Sequence, residues 1–186
     1  MKKPNTSLII KILIPLLYFF ISNISSGQTF LKITDTSNPI VSDPGHGSGT
    51  YIGTAWVDVD NDGWLDLYVN RRAVYRNLRN GNFEKIATGL ELNTVSISNT
   101  WADYNNDGLI DCFIVSTIDS QSFLYKNNGN MTFTKIRTGA IADSSYNTGW
   151  GSSWGDYNND GYVDLIIAAA SPFGIVNHPS RFWKNN

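Results

Sequence analysis

The sequence contains one cysteine, Cys112, so an intrachain disulfide is excluded in any redox compartment. Its neighbours Phe113, Ile114 and Val115 are all apolar. A thiol in such surroundings packs as a small hydrophobic group, because burial disfavours the reactive thiolate. We therefore predict a buried structural cysteine.

Histidine is almost as scarce. His46 and His178 are the only two, each lies in a stretch rich in glycine and proline, and neither has a recognisable partner. Nucleophilic catalysis needs a nucleophile and a base within hydrogen-bonding reach, and the sequence shows no such constellation. We expect both histidines to be incidental loop residues and the chain not to be an enzyme.

Long runs of charged and of apolar residues are also missing. The 14 basic and 16 acidic residues give a net charge of −2, and no block of five or six basic residues occurs. A nucleic-acid partner is therefore not expected. The apolar run at residues 12–21 is shorter than the roughly 20 residues that a membrane-spanning helix needs, and no later run is longer.

The first 27 residues form a unit of their own. Three lysines precede the uncharged apolar run at residues 12–21, and a small polar stretch, residues 22–27, follows it. This order is typical of a secretory signal peptide, with cleavage near Gly27. A retained N-terminal membrane anchor is the alternative. We expect a secreted, extracellular or periplasmic protein with no membrane span in the mature chain.

The remaining chain can bury one sizeable core, since apolar residues make up 41% and aromatic residues 13% of the sequence. One segment occurs three times, at residues 56–66, 101–111 and 154–164. Each copy begins with tryptophan and carries Asp or Asn at alternating positions, then Asp-Gly and a final Asp. The first aspartates are 45 and then 53 residues apart (58 to 103 to 156), close to the length of a four-stranded propeller blade.

The similarity continues beyond these segments. An apolar run, an aromatic-Lys/Arg-Asn run, an Asn-Gly turn and a Phe-x-Lys-Ile run follow the first two copies, ending at Ile86 and Ile136. The third copy extends only to Asn186, and residues 29–33 match the last run of a unit. We predict a signal peptide (1–27), a repeat region (28–186) with an N-terminal strand at 28–34, and blades at approximately 50–90, 95–140 and 148–186.

These runs are rich in Val, Ile, Phe, Tyr and Leu, are separated by Asn-Gly and Asp-Gly turn signals, and lack helical periodicity. We therefore predict an all-β fold of four-stranded antiparallel β-propeller blades. In the second strand of the middle copy, both alternating faces are apolar. Ile110, Cys112 and Ile114 lie on one face, and Phe113 and Val115 on the other. Such a strand is covered on both sides, as when blades stack.

The three segments predict calcium sites. Calcium prefers six to eight oxygen ligands, and a loop can supply side chains at positions 1, 3, 5 and 9 and a backbone carbonyl at position 7. Glycine at position 6 permits the sharp bend. We predict about three structural Ca²⁺ ions, held by Asp58, Asp60, Asp62, Asp66 and the carbonyl of Trp64; by Asp103, Asn105, Asp107, Asp111 and the carbonyl of Leu109; and by Asp156, Asn158, Asp160, Asp164 and the carbonyl of Tyr162.

The distribution of charge favours calcium sites over the alternative that these segments are acidic turns exposed to solvent. Ten of the 16 acids fall in the 27 loop positions, where they repel one another unless a cation offsets them. Magnesium fits less well, because it demands a tighter octahedron. An EF-hand needs Glu at position 12, but Val69, Ile114 and Ile167 stand there.

With these motifs, residues 28–186 resemble the FG-GAP or VCBS repeat family, in particular the bacterial ASPIC/UnbV group, which is similar to cartilage acidic protein. The resemblance implies a β-propeller with calcium in the loop between the first two strands of a blade. Three blades are too few for the usual ring of four to eight, so we interpret the chain as a fragment or truncated product. The alternatives are a three-bladed ring and closure by the N-terminal strand completing the last blade.

We expect an exported, calcium-stabilised scaffold or binding module for adhesion or for recognition of a protein or carbohydrate ligand by the variable loops. The alternative is an accessory or catalytic propeller domain of a secreted polysaccharide-active enzyme. Trp56, Trp101 and Trp154 recur in register, which favours packing between blades. Trp150 and Tyr146 stand outside the register and are the candidates for contact with a partner.

Overall fold

The computed structural model describes seven stretches of the chain: residues 30–44, 53–70, 73–90, 96–116, 122–142, 149–168 and 179–186. The chain divides into two compact units, Met1–Thr34 and Asp35–Asn186. All the strands that the structure describes lie in the second unit. The predicted signal peptide, His46, His178 and Tyr146 lie outside the described residues.

The described residues of the second unit form eleven short strands, in agreement with the predicted all-β fold. They are β1 (Thr54–Val57), β2 (Asp66–Val69), β3 (Ala73–Asn77), β4 (Phe83–Ile86), β5 (Ser96–Ala102), β6 (Asp111–Ser116), β7 (Phe123–Asn127), β8 (Phe133–Lys135), β9 (Gly151–Gly155), β10 (Asp164–Ala168) and β11 (Arg181–Trp183). The described helical segments are α1 (Pro39–Ser42) and a 3-10 turn (Ala140–Ala142). Neither is long or apolar enough to cross a bilayer.

The strands form three antiparallel sheets, which we call blades 1 to 3. Blade 1 has the order β1-β2-β3-β4, blade 2 the order β5-β6-β7-β8, and blade 3 the order β11-β10-β9. The three registers are equivalent, because the recurring tryptophans pair with the residue that follows the last loop aspartate. Trp56 pairs with Leu67, Trp101 with Cys112, and Trp154 with Leu165. The three sheets therefore fit partial propeller blades.

Blade 2 carries the core on both of its faces, and all six residues of β6 are buried. Cys112 and Ile114 pack in one cluster with Tyr68 of blade 1. Phe113 and Val115 pack in a second cluster, which includes Leu165 and Ile167 of blade 3. The prediction of a sheet covered on both faces is confirmed. Burial also raises the pKa of the Cys112 thiol, which agrees with a structural role.

The recurring tryptophans pack between blades in two cases out of three. Trp101 meets Tyr68 edge to face at 5.2 Å between ring centroids, and Trp154 meets Phe113 at 6.3 Å. Trp56 remains 58% exposed and contacts Phe83 in its own blade at 6.0 Å. The prediction is wrong for Trp56, because its face of blade 1 points away from blade 2 and no other described blade packs against it.

The predicted N-terminal strand, residues 28–34, is not found over its described part. Residues 30–34 have no regular secondary structure, and Phe30 and Leu31 are exposed. A strand needs a backbone hydrogen-bonding partner, and these residues belong to none of the three sheets.

Residues 35–43 lie beside the outer strands of blade 1. Asn38 caps α1 by accepting a hydrogen bond from the N–H of Ile40 at 3.0 Å. The carboxylate of Asp43 accepts hydrogen bonds from the Tyr75 hydroxyl and, at 2.8 Å, from Lys85 Nζ. Tyr75 is therefore covered by this segment, whereas its counterparts Tyr125 and Trp183 pack towards a neighbouring blade.

The position of Phe113 yields a stability prediction. Phe113→Ala leaves a cavity between blades 2 and 3, so we expect the free energy of unfolding to fall by about 3–5 kcal/mol. Urea denaturation followed by tryptophan fluorescence measures the change. The control Phe30→Ala removes a fully exposed ring and should change the stability by less than about 0.5 kcal/mol. Equal effects of the two substitutions would contradict the two-sided core.

Candidate metal centre

Each blade joins its first two strands through one of the acidic loops: loop 1 (58–66), loop 2 (103–111) and loop 3 (156–164). Positions 1 to 9 number the residues of each loop in order. The glycine at position 6 adopts a positive φ in all three: 85° at Gly63, 86° at Gly108 and 89° at Gly161. A Cβ there would meet nothing within 4 Å, so the backbone bend and not space requires glycine. This prediction is confirmed.

Asparagine at position 4 makes the second bend. Asn61, Asn106 and Asn159 have φ values of 57°, 55° and 56°, a region that asparagine tolerates better than most residues. The sequence shows Asn at this position in every copy. Each loop is thus shaped by two left-handed residues.

The aspartate at position 1 closes the loop on itself. Asp58 accepts the N–H of Asp62 at 2.9 Å with one carboxylate oxygen and that of Gly63 at 2.8 Å with the other. Asp103 and Asp156 make the same pairs of bonds, at 3.1 and 2.7 Å in loop 2 and at 3.1 and 2.9 Å in loop 3. The predicted first ligand therefore also organises the backbone.

The aspartate at position 9 is buried and joins the loop to the third strand. Asp111 accepts the N–H of Tyr104 at 3.2 Å and that of Asn127 at 2.8 Å. Asp66 bonds Val59 at 3.1 Å and Asn77 at 2.7 Å, and Asp164 bonds Tyr157 at 3.2 Å and Asn185 at 2.8 Å. Both oxygens of each carboxylate are satisfied within the blade.

Burial has an electrostatic cost at position 9. Desolvation raises the pKa of Asp111 from 3.8 to about 6, although the N–H groups of Asn127 and Tyr104 oppose this shift. Desolvation likewise raises the pKa of Asp66, and the nearby Asp60 adds to it. Removing a carboxylate from water disfavours its charged form, and like charges increase the effect.

Loop 1 brings three carboxylates together. Asp58, Asp60 and Asp66 each offer one oxygen, and these oxygens lie within 4.8 Å of one another. Asp60 Oδ2 accepts from Arg76 Nε at 2.8 Å, while its Oδ1 is buried with no hydrogen-bond partner. A buried, unpartnered carboxylate oxygen facing two other carboxylates is the kind of vacant ligand atom that a hard cation satisfies.

Asp62, at position 5 of loop 1, is not part of this cluster. Its Oδ2 accepts from Arg79 Nη2 at 2.5 Å and its Oδ1 from the N–H of Trp64 at 2.9 Å. The hydrogen bond from Arg79 lowers the pKa of Asp62. Trp64 itself is about half exposed.

Loops 2 and 3 share a different arrangement, with asparagine at position 3. Asn105 donates from Nδ2 to Asp107 Oδ2 at 3.1 Å and accepts the N–H of Asp107 with Oδ1 at 3.1 Å. Asn158 and Asp160 repeat these bonds at 2.8 and 3.2 Å. At position 7, the N–H groups of Leu109 and Tyr162 donate to the position-5 carboxylates at 3.1 and 3.0 Å. No cluster of three carboxylates forms in either loop, as far as the structure describes them.

The sequence analysis did not identify the basic residues at the ends of the third strands as site residues. Arg76, Lys126 and Lys184 occupy one register position, and their side chains pair with Asp60 at 2.8 Å, Asp107 at 3.0 Å and Asp160 at 3.5 Å. The pairing with Lys126 lowers the pKa of Asp107. The sequence does contain the recurring aromatic-Lys/Arg-Asn run after each acidic loop. This recurrence is the sequence feature that could have identified the ion pairs.

In blades 2 and 3, the asparagine after the basic residue links neighbouring blades. Asn127 Nδ2 donates to Ile110 O of its own loop at 3.1 Å and to Val59 O of loop 1 at 2.9 Å. Asn185 Nδ2 reaches Tyr104 O of loop 2 at 2.6 Å. Loops 1 and 2 are therefore each held by their own blade and by the asparagine of the next blade.

A model of the FG-GAP-like repeat family matches residues 103–167, which span loop 2, strands β6 to β9, loop 3 and all of β10 except Ala168. The match supports the repeat assignment and the β-propeller-like character of the described blades. No curated protein sequence matches the chain. The narrower resemblance to the ASPIC/UnbV group therefore has no support from a homologue.

The fully buried Asn127 gives a test of the link between blades. Asn127→Ala leaves the carbonyls of Val59 and Ile110 without this donor, and Gly129 N loses its acceptor at 2.9 Å. We expect a loss of about 2–3 kcal/mol in the free energy of unfolding, measured by urea denaturation. Asn82→Ala, in the exposed β3–β4 turn, is the control. A loss below about 0.5 kcal/mol in the Asn127 variant would contradict the role.

The raised pKa of Asp111 makes the metal-free stability depend on pH. The native state keeps the proton up to about pH 6, whereas the unfolded chain releases it near 3.8, the ordinary pKa of an aspartate. The contribution of this group to the free energy of unfolding therefore falls between about pH 4 and pH 6, by at most about 3 kcal/mol.

The measurement is a carbon-13 NMR titration of the aspartate carboxyl groups in the presence of a chelator. We expect the Asp111 carboxyl to titrate near pH 6. The Asp62 and Asp107 carboxyls should titrate below their usual range, since hydrogen bonds from Arg79 and Lys126 stabilise their charged forms and lower their pKa. An Asp111 midpoint below pH 4 would show that burial does not control this carboxyl.

Proposed function

We propose that this protein is a calcium-stabilised, β-propeller-like recognition or adhesion module. The FG-GAP-like repeat and the stacked blades of three or four strands support the recognition role, because a rigid array of blades presents its connecting loops to a ligand. In this proposal, the metal has a structural role, and the ligand is a protein or a carbohydrate.

The observation that carries the calcium proposal is the loop 1 cluster. Three carboxylates lie within 4.8 Å of one another, and the buried Asp60 Oδ1 has no hydrogen-bond partner. Such a set of oxygens suits calcium, which accepts carboxylates in flexible geometry, better than magnesium with its strict octahedron. The residues that would hold the ion are Asp58, Asp60 and Asp66, with Asp62 and the carbonyl of Trp64 as the further ligands that the loop pattern predicts.

Loops 2 and 3 supply the same pattern with one carboxylate fewer. Asp103, Asn105, Asp107 and Asp111, with the carbonyl of Leu109, would hold a second ion. Asp156, Asn158, Asp160 and Asp164, with the carbonyl of Tyr162, would hold a third. The Oδ1 atoms of Asn105 and Asn158 accept hydrogen bonds from backbone N–H groups of their own loops. A bound dication would offset the carboxylate repulsion, and its binding free energy would add to the stability of the fold.

We also propose that the protein is exported. The charge and hydropathy order of residues 1–27 supports a cleaved signal peptide. Calcium is plentiful outside the cytosol, and extracellular calcium modules function with dissociation constants of about 0.1 to 1 mM. Export and calcium stabilisation are therefore compatible with each other.

Isothermal titration calorimetry tests the metal assignment. We expect about three calcium equivalents per chain in the wild type, together with a higher melting temperature. Asp60→Ala should reduce the stoichiometry by one, because it removes a ligand. Asp60 accepts no backbone hydrogen bond in the structure, so the loop itself should be preserved.

Two further variants sharpen this experiment. Asp60→Asn converts position 3 to the residue found in loops 2 and 3, so we expect it to retain three equivalents with weaker binding at one. Asp35→Asn removes an exposed carboxylate outside the loops and should change nothing. No heat and an unchanged melting temperature in the wild type would refute the calcium proposal.

A further inference from the structure

A series of hydrogen bonds joins the buried aspartates of loops 1 and 2. Asp66, at position 9 of loop 1, accepts the N–H of Val59 at 3.1 Å. The carbonyl of Val59 accepts from Asn127 Nδ2 at 2.9 Å, and the N–H of Asn127 donates to Asp111 of loop 2 at 2.8 Å. None of these four residues is more than 1% exposed. We call them the first relay.

Loops 2 and 3 are joined by the same series of bonds. Asp111 accepts the N–H of Tyr104 at 3.2 Å, and the carbonyl of Tyr104 accepts from Asn185 Nδ2 at 2.6 Å. The N–H of Asn185 donates to Asp164 of loop 3 at 2.8 Å. These four residues form the second relay. Because Asp111 belongs to both relays, the bonds continue without a break from loop 1 to loop 3.

Each relay includes groups that shape two of the proposed calcium sites. Val59 and Tyr104 stand at position 2 of their loops, and their carbonyls belong to the peptide bonds that lead to Asp60 and Asn105 at position 3. The relay asparagines are not predicted ligands themselves. Each contacts position 9 of its own loop through its backbone and position 2 of the preceding loop through its side chain.

From these contacts, we propose that Asn127 and Asn185 are positioning residues shared by adjacent calcium loops, and that they make calcium binding at these loops cooperative. The inference rests on the calcium function proposed above. Asp164, once held by an ion, would fix Asn185 and through it the Tyr104 peptide group, so loop 2 would lose less conformational freedom when it binds its own ion. By linkage, binding at loop 2 favours loop 3 by the same factor.

Repulsion between two bound cations acts in the opposite direction and does not depend on the asparagines. A hydrogen bond between buried groups is stronger than one in water, and successive bonds polarise one another. We therefore expect the relays to outweigh the repulsion, which gives positive cooperativity.

A second contact between loops 2 and 3 supplies a matched control. Asn106 Nδ2 donates to Gly161 O at 3.0 Å on the exposed side of the loops. This bond also joins an asparagine amide to a backbone carbonyl of the neighbouring loop, but neither residue belongs to a relay. Asn106 has a φ of 55°, so Asn106→Gly removes the amide and keeps the left-handed backbone.

Calcium titration followed by nitrogen-15 NMR tests the proposal, with the amide signals of Gly108 and Gly161 reporting on loops 2 and 3. Asn158→Ala removes the position-3 ligand of loop 3 without a change of charge. The N–H of Asp160 keeps Asp156 as an acceptor, so the loop should be preserved. We expect this substitution to weaken calcium binding at loop 2 by at least about 5-fold.

The same substitution is then made in two further chains. Asn185→Ala removes the relay amide and retains the backbone N–H to Asp164, so in this chain Asn158→Ala should change the loop 2 affinity by less than about 2-fold. In the Asn106→Gly chain, the 5-fold effect should remain. Neither asparagine is a predicted ligand, so each of these chains should bind about three calcium equivalents before Asn158 is changed.

The outcomes separate this proposal from the calcium function. Three equivalents with a loop 2 affinity that Asn158→Ala leaves unchanged would overturn the cooperativity and leave the calcium function standing. An effect that persists in the Asn185→Ala chain would overturn the role of the relay, because a purely structural asparagine changes stability and not the coupling between loops. No calcium binding in the wild type would refute both proposals.

Discussion

The buried aspartate that opens the second strand of each blade is the group on which the rest of the structure depends. A carboxylate away from water is costly unless both of its oxygens are bonded. Asp66, Asp111 and Asp164 meet this condition in one way, with an N–H from the loop and an N–H from the third strand. Three separate pieces of each blade are thereby fixed relative to one another, and the loop geometry follows from that anchor.

The same anchor places the acidic loop next to basic side chains. The third strand that donates to the buried aspartate also carries Arg76, Lys126 or Lys184, whose side chains offset part of the loop charge. Loop 1 is the most acidic and also the most strongly paired, since Arg79 binds Asp62 as well. Even so, it leaves the buried Asp60 Oδ1 unpartnered. Loop 1 therefore retains a buried carboxylate oxygen that the fold leaves without a hydrogen-bond partner and that a cation could bind.

Contacts between blades repeat as regularly as contacts within them. Each following blade places a tryptophan and an asparagine on the blade before it, through ring packing and an amide-to-carbonyl hydrogen bond. Association of the described blades thus uses the sheet faces of the repeat, whereas the proposed recognition of a ligand would use its connecting loops.

The sequence by itself determined the repeat, the β class, the two-sided burial of β6, the buried Cys112 and the glycine bends of the loops. These depend on local backbone preference and on alternation along one strand, which a single segment encodes. Only the tertiary structure decided that Trp56 stays exposed, that residues 30–34 form no strand, that Asp62 turns to Arg79, and that Asn127 bridges two blades. The physical reason is that these outcomes depend on which groups from distant segments lie alongside, and identical motifs meet different neighbours at the ends and in the middle of an array.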